Sequence, residues 1–285
     1  VWNMLAADGK LFAITKKGKI YCFAEKKIEP KIYALETKAP QRRDGKWAER
    51  AREILEITGE KEGYCLMPGI GSGQLLYGLI RESNLHIIAI DPDAEKVGRM
   101  RRELDEAGLY GTRASVHVSD ITTMRLAPYM ANLIVSEDLQ AAGSKKSKVF
   151  IEWIFHSLRP YGGTACFSVP QSKHANIFSR IIAMKMPGCE FTSSDESIRL
   201  TRSGALPDSA DWTHQYGDST NTVMSNDKSI KAPLGLLWFG GPANDKILPR
   251  HGHGPSPQVV GGRLFIEGRN MIRAVDVYTG RLIWE

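Results

Sequence analysis

The middle of the chain alternates between short apolar runs and helical patterns, and this alternation constrains the fold more than any other feature. Strands are predicted at residues 64–67, 86–90, 114–118, 133–135 and 164–169, and helices at residues 47–57, 73–82, 93–107 and 148–158. Continuous apolar strands that alternate with helices are typical of a parallel sheet covered on both faces. Two further runs, 190–194 and 197–201, predict an antiparallel hairpin at one edge. We therefore expect a doubly wound α/β domain at residues 46–203.

The segments on either side of this region have different sequence patterns. Three strand patterns separated by Asp8-Gly9 and Lys17-Gly18 turns predict an antiparallel element at residues 1–24. Residues 25–45 and 204–232, rich in charge or in Gly, Pro, Asp and Ser, are predicted linkers. Strand patterns return within residues 233–285, at 234–239, 258–261, 263–267 and 271–275. The closing stretch repeats the order of the opening one: strand, glycine turn, Leu-Phe-apolar strand.

A glycine-rich loop follows the first predicted strand of the α/β region. Gly69, Gly71 and Gly73 are spaced G-x-G-x-G, just before a predicted helix. Glycines allow a tight turn and a close ligand approach, and the helix N-terminus offers free N–H groups. Gln74 stands where a dinucleotide fingerprint has its third glycine, and no Gly-Lys-Ser/Thr follows, so the loop favours neither a dinucleotide site nor a P-loop.

Two acids follow the next two predicted strands. Asp91 ends the second strand, where a carboxylate can accept hydrogen bonds from ribose hydroxyls, and Asp120 follows the third, where it can meet an adenine amine. Either acid alone could be a helix cap or a turn residue. The glycine loop and both acids, however, fall at the carboxyl edge of one sheet, where open α/β sheets bind ligands.

With these motifs, residues 60–200 resemble class I S-adenosylmethionine-dependent methyltransferases. The stretch 131–137 is similar to the family's fourth-motif strand, and residues 158–163 to its Pro-Gly-Gly turn. The resemblance implies a Rossmann-like, doubly wound seven-stranded sheet, with S-adenosylmethionine as the cofactor. The positions that it implies lie around the cofactor are Met67, Gly69, Gly71, Gly73, Asp91, Pro92, Asp120, Ile121 and Ser136.

The chain departs from the family at Met67, where the first motif usually has an acid that helps to hold the methionine amino group. A degenerate binding or scaffold module is therefore the alternative to an active methyltransferase. The acceptor, a small molecule or a protein, is not indicated, because neither an Asn/Asp-Pro-Pro-aromatic sequence nor a Pro-Cys motif is present. Glu137 is the candidate for orienting or deprotonating an acceptor. A solvated loop carboxylate is the other interpretation.

The flanking regions resemble pyrroloquinoline-quinone-type β-propeller repeats. The stretch Ala274–Glu285 follows the A-x-D-x-x-T-G-x-x-x-W pattern that closes a blade, with Trp284 in the blade-packing position. This resemblance implies a methyltransferase domain inserted in a propeller whose remaining blades would be partners of this chain. The chain begins at Val1 and ends at Glu285 within strand-like patterns, so we expect it to be part of a longer protein. A quinoprotein dehydrogenase is a third hypothesis, with no catalytic acid or calcium-site pattern to support it.

Composition limits the remaining classes. A formal net charge of +6 spread over 285 residues is typical of a solvated basic surface, and nucleic acid is not an expected partner. Four scattered cysteines show no metal spacing, and no apolar run has the length of a membrane span. His251 and His253 suggest a metal site but lack a third ligand nearby, so no metal is predicted. The compartment stays open between cytoplasm and export.

Overall fold

The computed structural model describes residues 1–26, 29–34, 45–241, 246–248 and 254–285. The chain divides into two compact units, Val1–Thr37 and Lys38–Glu285. The second unit holds the predicted α/β region together with the C-terminal strands. The finer subdivision into five segments remains a prediction.

A seven-stranded mixed sheet forms the centre of the second unit, as the sequence predicted. Its strands are β4 (Tyr64–Pro68), β5 (His86–Asp91), β6 (Ala114–Val118), β7 (Ala131–Val135), β8 (Gly163–Ser168), β9 (Cys189–Ser194) and β10 (Ser197–Arg202). Their spatial order is β6-β5-β4-β7-β8-β10-β9. The first five are parallel, and β10 pairs antiparallel with both β8 and β9. The order reverses between β4 and β7, so a topological switch point lies beside the glycine loop.

Five helices accompany this sheet: α1 (Lys46–Thr58), α2 (Gln74–Glu82), α3 (Ala94–Glu106), α4 (Ser147–Ser157) and α5 (His174–Ala183). Local signals set their ends. Gly59 closes α1 in the left-handed conformation, and the Asp93 carboxylate caps α3 by accepting the N–H groups of Glu95 and Lys96. Four helices lie where the sequence predicted them, whereas α5 was not predicted.

Two apolar clusters make up the core. One includes Leu75, Leu79 and Val97 from α2 and α3 with the strands they cover, and the other includes Ile154 from α4 and Ile181 from α5. Cys65 belongs to the first cluster and is fully buried, and burial raises the pKa of its thiol. Cys65 therefore packs as a small apolar residue.

The first unit contains a three-stranded antiparallel sheet of β1 (Asn3–Ala7), β2 (Lys10–Ile14) and β3 (Ile20–Ala24). The strands are joined in sequence order, and Asp8 and Gly9 both adopt positive φ in the first turn. This confirms the predicted antiparallel element at residues 1–24.

The second unit ends in a four-stranded antiparallel sheet in the order β11 (Gln258–Val260), β12 (Arg263–Gly268), β13 (Met271–Asp276) and β14 (Leu282–Trp284). Its turns contact residues that precede the parallel strands: Asp276 forms an ion pair with Arg159, Tyr278 packs edge-on against Tyr129 at 5.9 Å, and Arg281 pairs with Glu62 at 3.2 Å. The C-terminal sheet therefore lies at the amino edge of the central sheet.

The prediction of a strand at residues 234–239 was wrong. Within the described residues between β10 and β11, the backbone forms no regular helix or strand. Pro233 and Gly235 interrupt backbone pairing, and Leu234, Leu236 and Phe239 are more than 75% exposed. Trp238 nevertheless packs on the C-terminal sheet, where its indole N–H donates to the Val277 carbonyl at 2.8 Å.

None of the helices formed by the described residues is long and apolar enough to cross a membrane.

Candidate functional site

The glycine loop connects β4 to α2 at the carboxyl edge of the central sheet. Gly69, Gly71 and Gly73 all have positive φ, between +60° and +81°. A Cβ on Gly69 would lie 2.0 Å from the Asp138 backbone oxygen, so the segment after β7 packs directly on the loop. The Gly69 N–H donates to Ile90, and its carbonyl accepts from Glu137 and Asp138. The loop is thus fixed to both neighbouring strand ends.

Asp91 ends β5 directly beside this loop and is fully buried. Its Oδ2 accepts the Ile70 N–H at 3.0 Å and pairs with the Lys96 Nζ at 3.0 Å, while Oδ1 accepts the Asp93 N–H at 3.0 Å. The carboxylate therefore ties the glycine loop to the start of α3. Because a carboxylate oxygen can accept two hydrogen bonds, Oδ1 keeps capacity for one further donor.

Asp120 follows β6 and is partly exposed. Its Oδ1 accepts the backbone N–H groups of Thr122 and Thr123 at 2.6 and 3.1 Å, as in an Asx turn. The pKa of Asp120 is lowered, chiefly by the hydrogen bond from the Thr122 hydroxyl. The neighbouring Ile121 is 4% exposed and belongs to the second core cluster. The pair therefore combines an ionised carboxylate with an apolar surface at the strand end.

Glu137 reaches across from the end of β7 to the glycine loop. Its Oε1 accepts the Ser72 N–H at 2.7 Å and also the Ser72 hydroxyl, and its Oε2 accepts the Leu75 N–H at 3.0 Å. The Cγ of Glu137 would lie 2.8 Å from a Cβ on Gly71. The structure thus gives Glu137 fixed partners, and a freely solvated loop carboxylate does not describe it.

Ser136 stands at the same strand end and is 6% exposed. Its hydroxyl oxygen has no hydrogen-bond partner among the described residues. A buried hydroxyl without a partner is costly, and such groups are often explained by a ligand or a water. Ser136 is therefore the position at this edge where a polar partner is missing.

The other two predicted positions differ in exposure. Met67 is fully buried in the first core cluster, so the position of the family's acid is filled here by an apolar side chain. Pro92 is exposed immediately after Asp91.

Two residues of this arrangement were missed at the sequence level. Lys96 forms the ion pair with Asp91, and Ser72 donates to Glu137. The ion pair could have been predicted, because Lys96 is a basic residue in the first turns of the helix that follows Asp91. The contact between Ser72 and Glu137 depends on how the segment after β7 folds back onto the glycine loop, and no local sequence pattern indicates that path.

The predicted absence of a metal concerned His251 and His253, which lie outside the described residues. The part of the chain that is described contains no cluster of three His, Cys, Asp or Glu residues suited to a metal ion.

Comparison with known proteins supports the class that the motifs indicate. Residues 66–162 match the model of a family described as a methyltransferase domain. This range begins in β4 and runs through the glycine loop, both acids and α4. No curated protein matches the chain.

Several solved structures are similar in fold. A protein from Methanococcus maripaludis assigned to the S-adenosylmethionine-dependent methyltransferases is 18% identical, with a TM-score of 0.48 over 56% of this chain and 85% of that one. An S-adenosylmethionine-dependent O-methyltransferase from Thermotoga maritima is 14% identical, with a TM-score of 0.45 over 72% and 86%. The N-methyltransferase NodS from Bradyrhizobium japonicum is 17% identical, with a TM-score of 0.40 over 54% and 95%. At such low sequence identities and TM-scores, these similarities give no information about the methyl acceptor.

The strand order and the match over residues 66–162 together support a Rossmann-like methyltransferase domain, and S-adenosylmethionine is the cofactor that the motifs imply for it. The residues at the carboxyl edge suit that cofactor in kind. The glycine loop opens a helix N-terminus, Asp120 is partly exposed, and the buried Ser136 hydroxyl lacks a partner. Asp91 fits less freely, because Lys96 already pairs with it.

Proposed function

We propose that this chain transfers a methyl group from S-adenosylmethionine to an acceptor that is a small molecule or a protein. The observation that carries the proposal is the convergence of the glycine loop, Asp91 and Asp120 at the carboxyl ends of three adjacent strands, β4, β5 and β6. Ligands of open α/β sheets bind at this edge.

In this proposal each predicted residue binds a different part of the cofactor. Asp91 accepts from the ribose through the free capacity of Oδ1 once the side chains that bury it move aside, with the exposed Pro92 next to it. Asp120 accepts from the adenine amine while Ile121 supports the ring. Ser136 gives its unpartnered hydroxyl to the ligand, and the glycine loop lies along the methionine part.

The bound cofactor supplies an electrophilic methyl group, and the protein's task is to align the acceptor with it and to exclude water. A general base for the acceptor is not assigned. Glu137 was the candidate, but its carboxylate is held by Ser72 and Leu75 on the glycine loop.

Calorimetry with S-adenosylhomocysteine tests this function. We expect micromolar binding to the wild-type protein and a loss of about threefold to tenfold in Asp120→Asn, because one hydrogen bond to a charged acceptor is weakened. Asp105→Asn, an equal charge change at an exposed position near the end of α3, should leave the affinity unchanged. Absence of binding to the wild-type protein would contradict the proposal and favour the degenerate scaffold module.

We further propose that the methyltransferase domain interrupts a β-propeller. The C-terminal sheet supports this, since its four antiparallel strands are joined in sequence order, as in a propeller blade. Trp284, in the blade-packing position, is 43% exposed. In an experimental structure of the full-length protein, further four-stranded sheets should surround an axis next to β11–β14. A C-terminal sheet without such neighbours would contradict this.

A further inference from the structure

One carboxylate lies on the glycine loop although the loop's own strand lacks the usual acid. Met67 fills the position of that acid and is fully buried. Glu137 comes from the neighbouring strand β7, and both of its oxygens accept N–H groups of the loop and of the first turn of α2, at 2.7 Å from Ser72 and 3.0 Å from Leu75. The negative charge missing from β4 is thus present at the loop, supplied by another strand.

The neighbouring acids have other partners. The carboxylate of Asp138 accepts the N–H groups of Gln140 and Ala141 in its own turn. Asp91 is neutralised by the Lys96 ammonium at 3.0 Å. No cationic partner of Glu137 is found among the described residues, where its bonds run to backbone N–H groups and to the Ser72 hydroxyl. Its charge is therefore available to a cation brought by a ligand.

We infer that Glu137 replaces the missing first-motif acid and selects ligands by the ammonium group of their amino-acid part. The inference rests on the proposed function, because it places the methionine part of the cofactor along the glycine loop.

The charge balance at the loop supports this role. The N–H groups at a helix N-terminus normally attract an anion, and the ligand's own carboxylate could use them. Here Glu137 already accepts those of Ser72 and Leu75, so a second carboxylate at this point would be repelled. A carboxylate has about four acceptor positions, and three are used, which leaves one on Oε2 for an ammonium donor. The loop with Glu137 therefore suits an ammonium group and excludes an anion.

Three nucleosides separate this role from a purely structural one. S-adenosylhomocysteine carries both the ammonium and the carboxylate, its decarboxylated analogue carries the ammonium alone, and 5′-methylthioadenosine carries neither. Glu137→Gln keeps one oxygen for the Ser72 N–H and hydroxyl, removes the charge, and turns an amide NH2 toward the Leu75 N–H, so the 5′-methylthioadenosine affinity also reports any disturbance of the loop. We expect Glu137→Gln to weaken the first two ligands about tenfold or more in calorimetry. Binding of 5′-methylthioadenosine should change by less than about twofold.

Asp138→Asn is the matched control, since it removes the same charge from the adjacent residue, whose carboxylate faces its own turn. Asp138→Asn should leave the ratios between the three affinities at their wild-type values. Thermal unfolding of each ligand-free variant reports whether the fold is intact.

The outcomes separate the inference from the proposed function. Equal weakening of all three ligands by Glu137→Gln, or no weakening, overturns the inference and leaves the function in place. Tighter binding of S-adenosylhomocysteine by this variant also overturns it, because Glu137 would then compete with the ligand's carboxylate for the loop. A wild-type protein that binds none of the three sinks the proposed function and the inference with it.

Discussion

At the scale of single residues, two glycines with the same backbone torsion have very different surroundings. Gly69 in the glycine loop and Gly111 before β6 both have φ of +76°. A Cβ on Gly111 would meet nothing within 4 Å, whereas one on Gly69 would lie 2.0 Å from the Asp138 backbone oxygen. The pair therefore separates the cost of the torsion from the cost of the close approach.

We expect Gly111→Ala to lower the free energy of unfolding by about 1–2 kcal/mol, the cost of a left-handed alanine. Gly69→Ala should cost at least about 3 kcal/mol, because the segment after β7 must also move away from the loop. Urea denaturation of both variants measures the difference. Equal costs would mean that this segment is not packed on the loop.

The two acids of the site should also differ in how much their replacement destabilises the fold. Asp91 is fully buried and has three donors, whereas Asp120 is partly exposed and caps a turn. Asp91→Ala should therefore lower the free energy of unfolding by about 2–4 kcal/mol, since it leaves buried N–H groups without a partner. Asp120→Ala should cost about 1 kcal/mol or less. If Asp120→Ala were the more destabilising in urea titrations, the assignment of Asp91 as the anchor of the loop would be wrong.

The sequence predicted which residues meet at the carboxyl edge but not how they pair. The glycine spacing and the acids at strand ends are local patterns, so Gly69, Asp91 and Asp120 were found. The contacts of Glu137 with Ser72, 65 residues away, depend on the path of the segment after β7. A single sequence holds no signal for such a contact.

At the scale of elements, apolar runs that alternate with helical patterns were informative, whereas the apolar run at residues 234–239, outside this alternation, was not. The predicted strands and helices of the α/β region agree with the structure to within about two residues at each end. Residues 234–239 have a strand-like composition, but Pro233 and Gly235 interrupt backbone pairing, and no partner strand lies among the described residues. Helix α5 was missed because no clear N-cap side chain marks its start after the short segment that follows β8.

Helix α5 itself has one buried face. Ile181 is 7% exposed and borders an apolar cavity of about 110 Å³, lined also by Phe150, Phe167 and Leu200, whereas the next residue, Ile182, is 57% exposed. Ile181→Ala should lower the free energy of unfolding by about 2–4 kcal/mol, because it enlarges an existing cavity. Ile182→Ala should change it by less than about 1 kcal/mol. Similar values for both variants in urea denaturation would contradict the packing of α5 on β8 and β10.

At the scale of the whole second unit, the candidate site and the C-terminal sheet occupy opposite edges of the central sheet. The glycine loop, Asp91 and Asp120 follow the parallel strands, while Glu62, Tyr129 and Arg159, which contact the C-terminal sheet, precede them. The C-terminal sheet thus supports the domain without covering the carboxyl edge. The sequence predicted both parts but not this arrangement, because it depends on pairs of residues such as Arg159 and Asp276, 117 positions apart.

The Arg159–Asp276 ion pair is the best single test of that attachment. The side chains are 12% and 4% exposed, and Asp276 Oδ1 also accepts the N–H groups of Tyr278 and Thr279, so the carboxylate is fixed in its turn. A buried pair with fixed geometry couples strongly, because removing one partner leaves the other charge without compensation. We expect a double-mutant cycle of Arg159→Met and Asp276→Asn to give a coupling energy of about 2 kcal/mol or more.

The matched control is the Lys148–Glu152 pair on α4, at 3.8 Å with side chains 78% and 53% exposed. Its cycle, with Lys148→Met and Glu152→Gln, should give less than about 0.5 kcal/mol, because solvent screens exposed pairs. Raising the salt concentration to about 1 M should reduce the coupling of the exposed pair further while leaving most of the buried one. A coupling at Arg159–Asp276 as small as that of the control would mean that the C-terminal sheet is not held at the amino edge by this contact. The attachment would then rest on the other contacts, among them the Arg281–Glu62 pair and the aromatic contact of Tyr129 with Tyr278, and Tyr278→Ala would test the latter in the same denaturation assay.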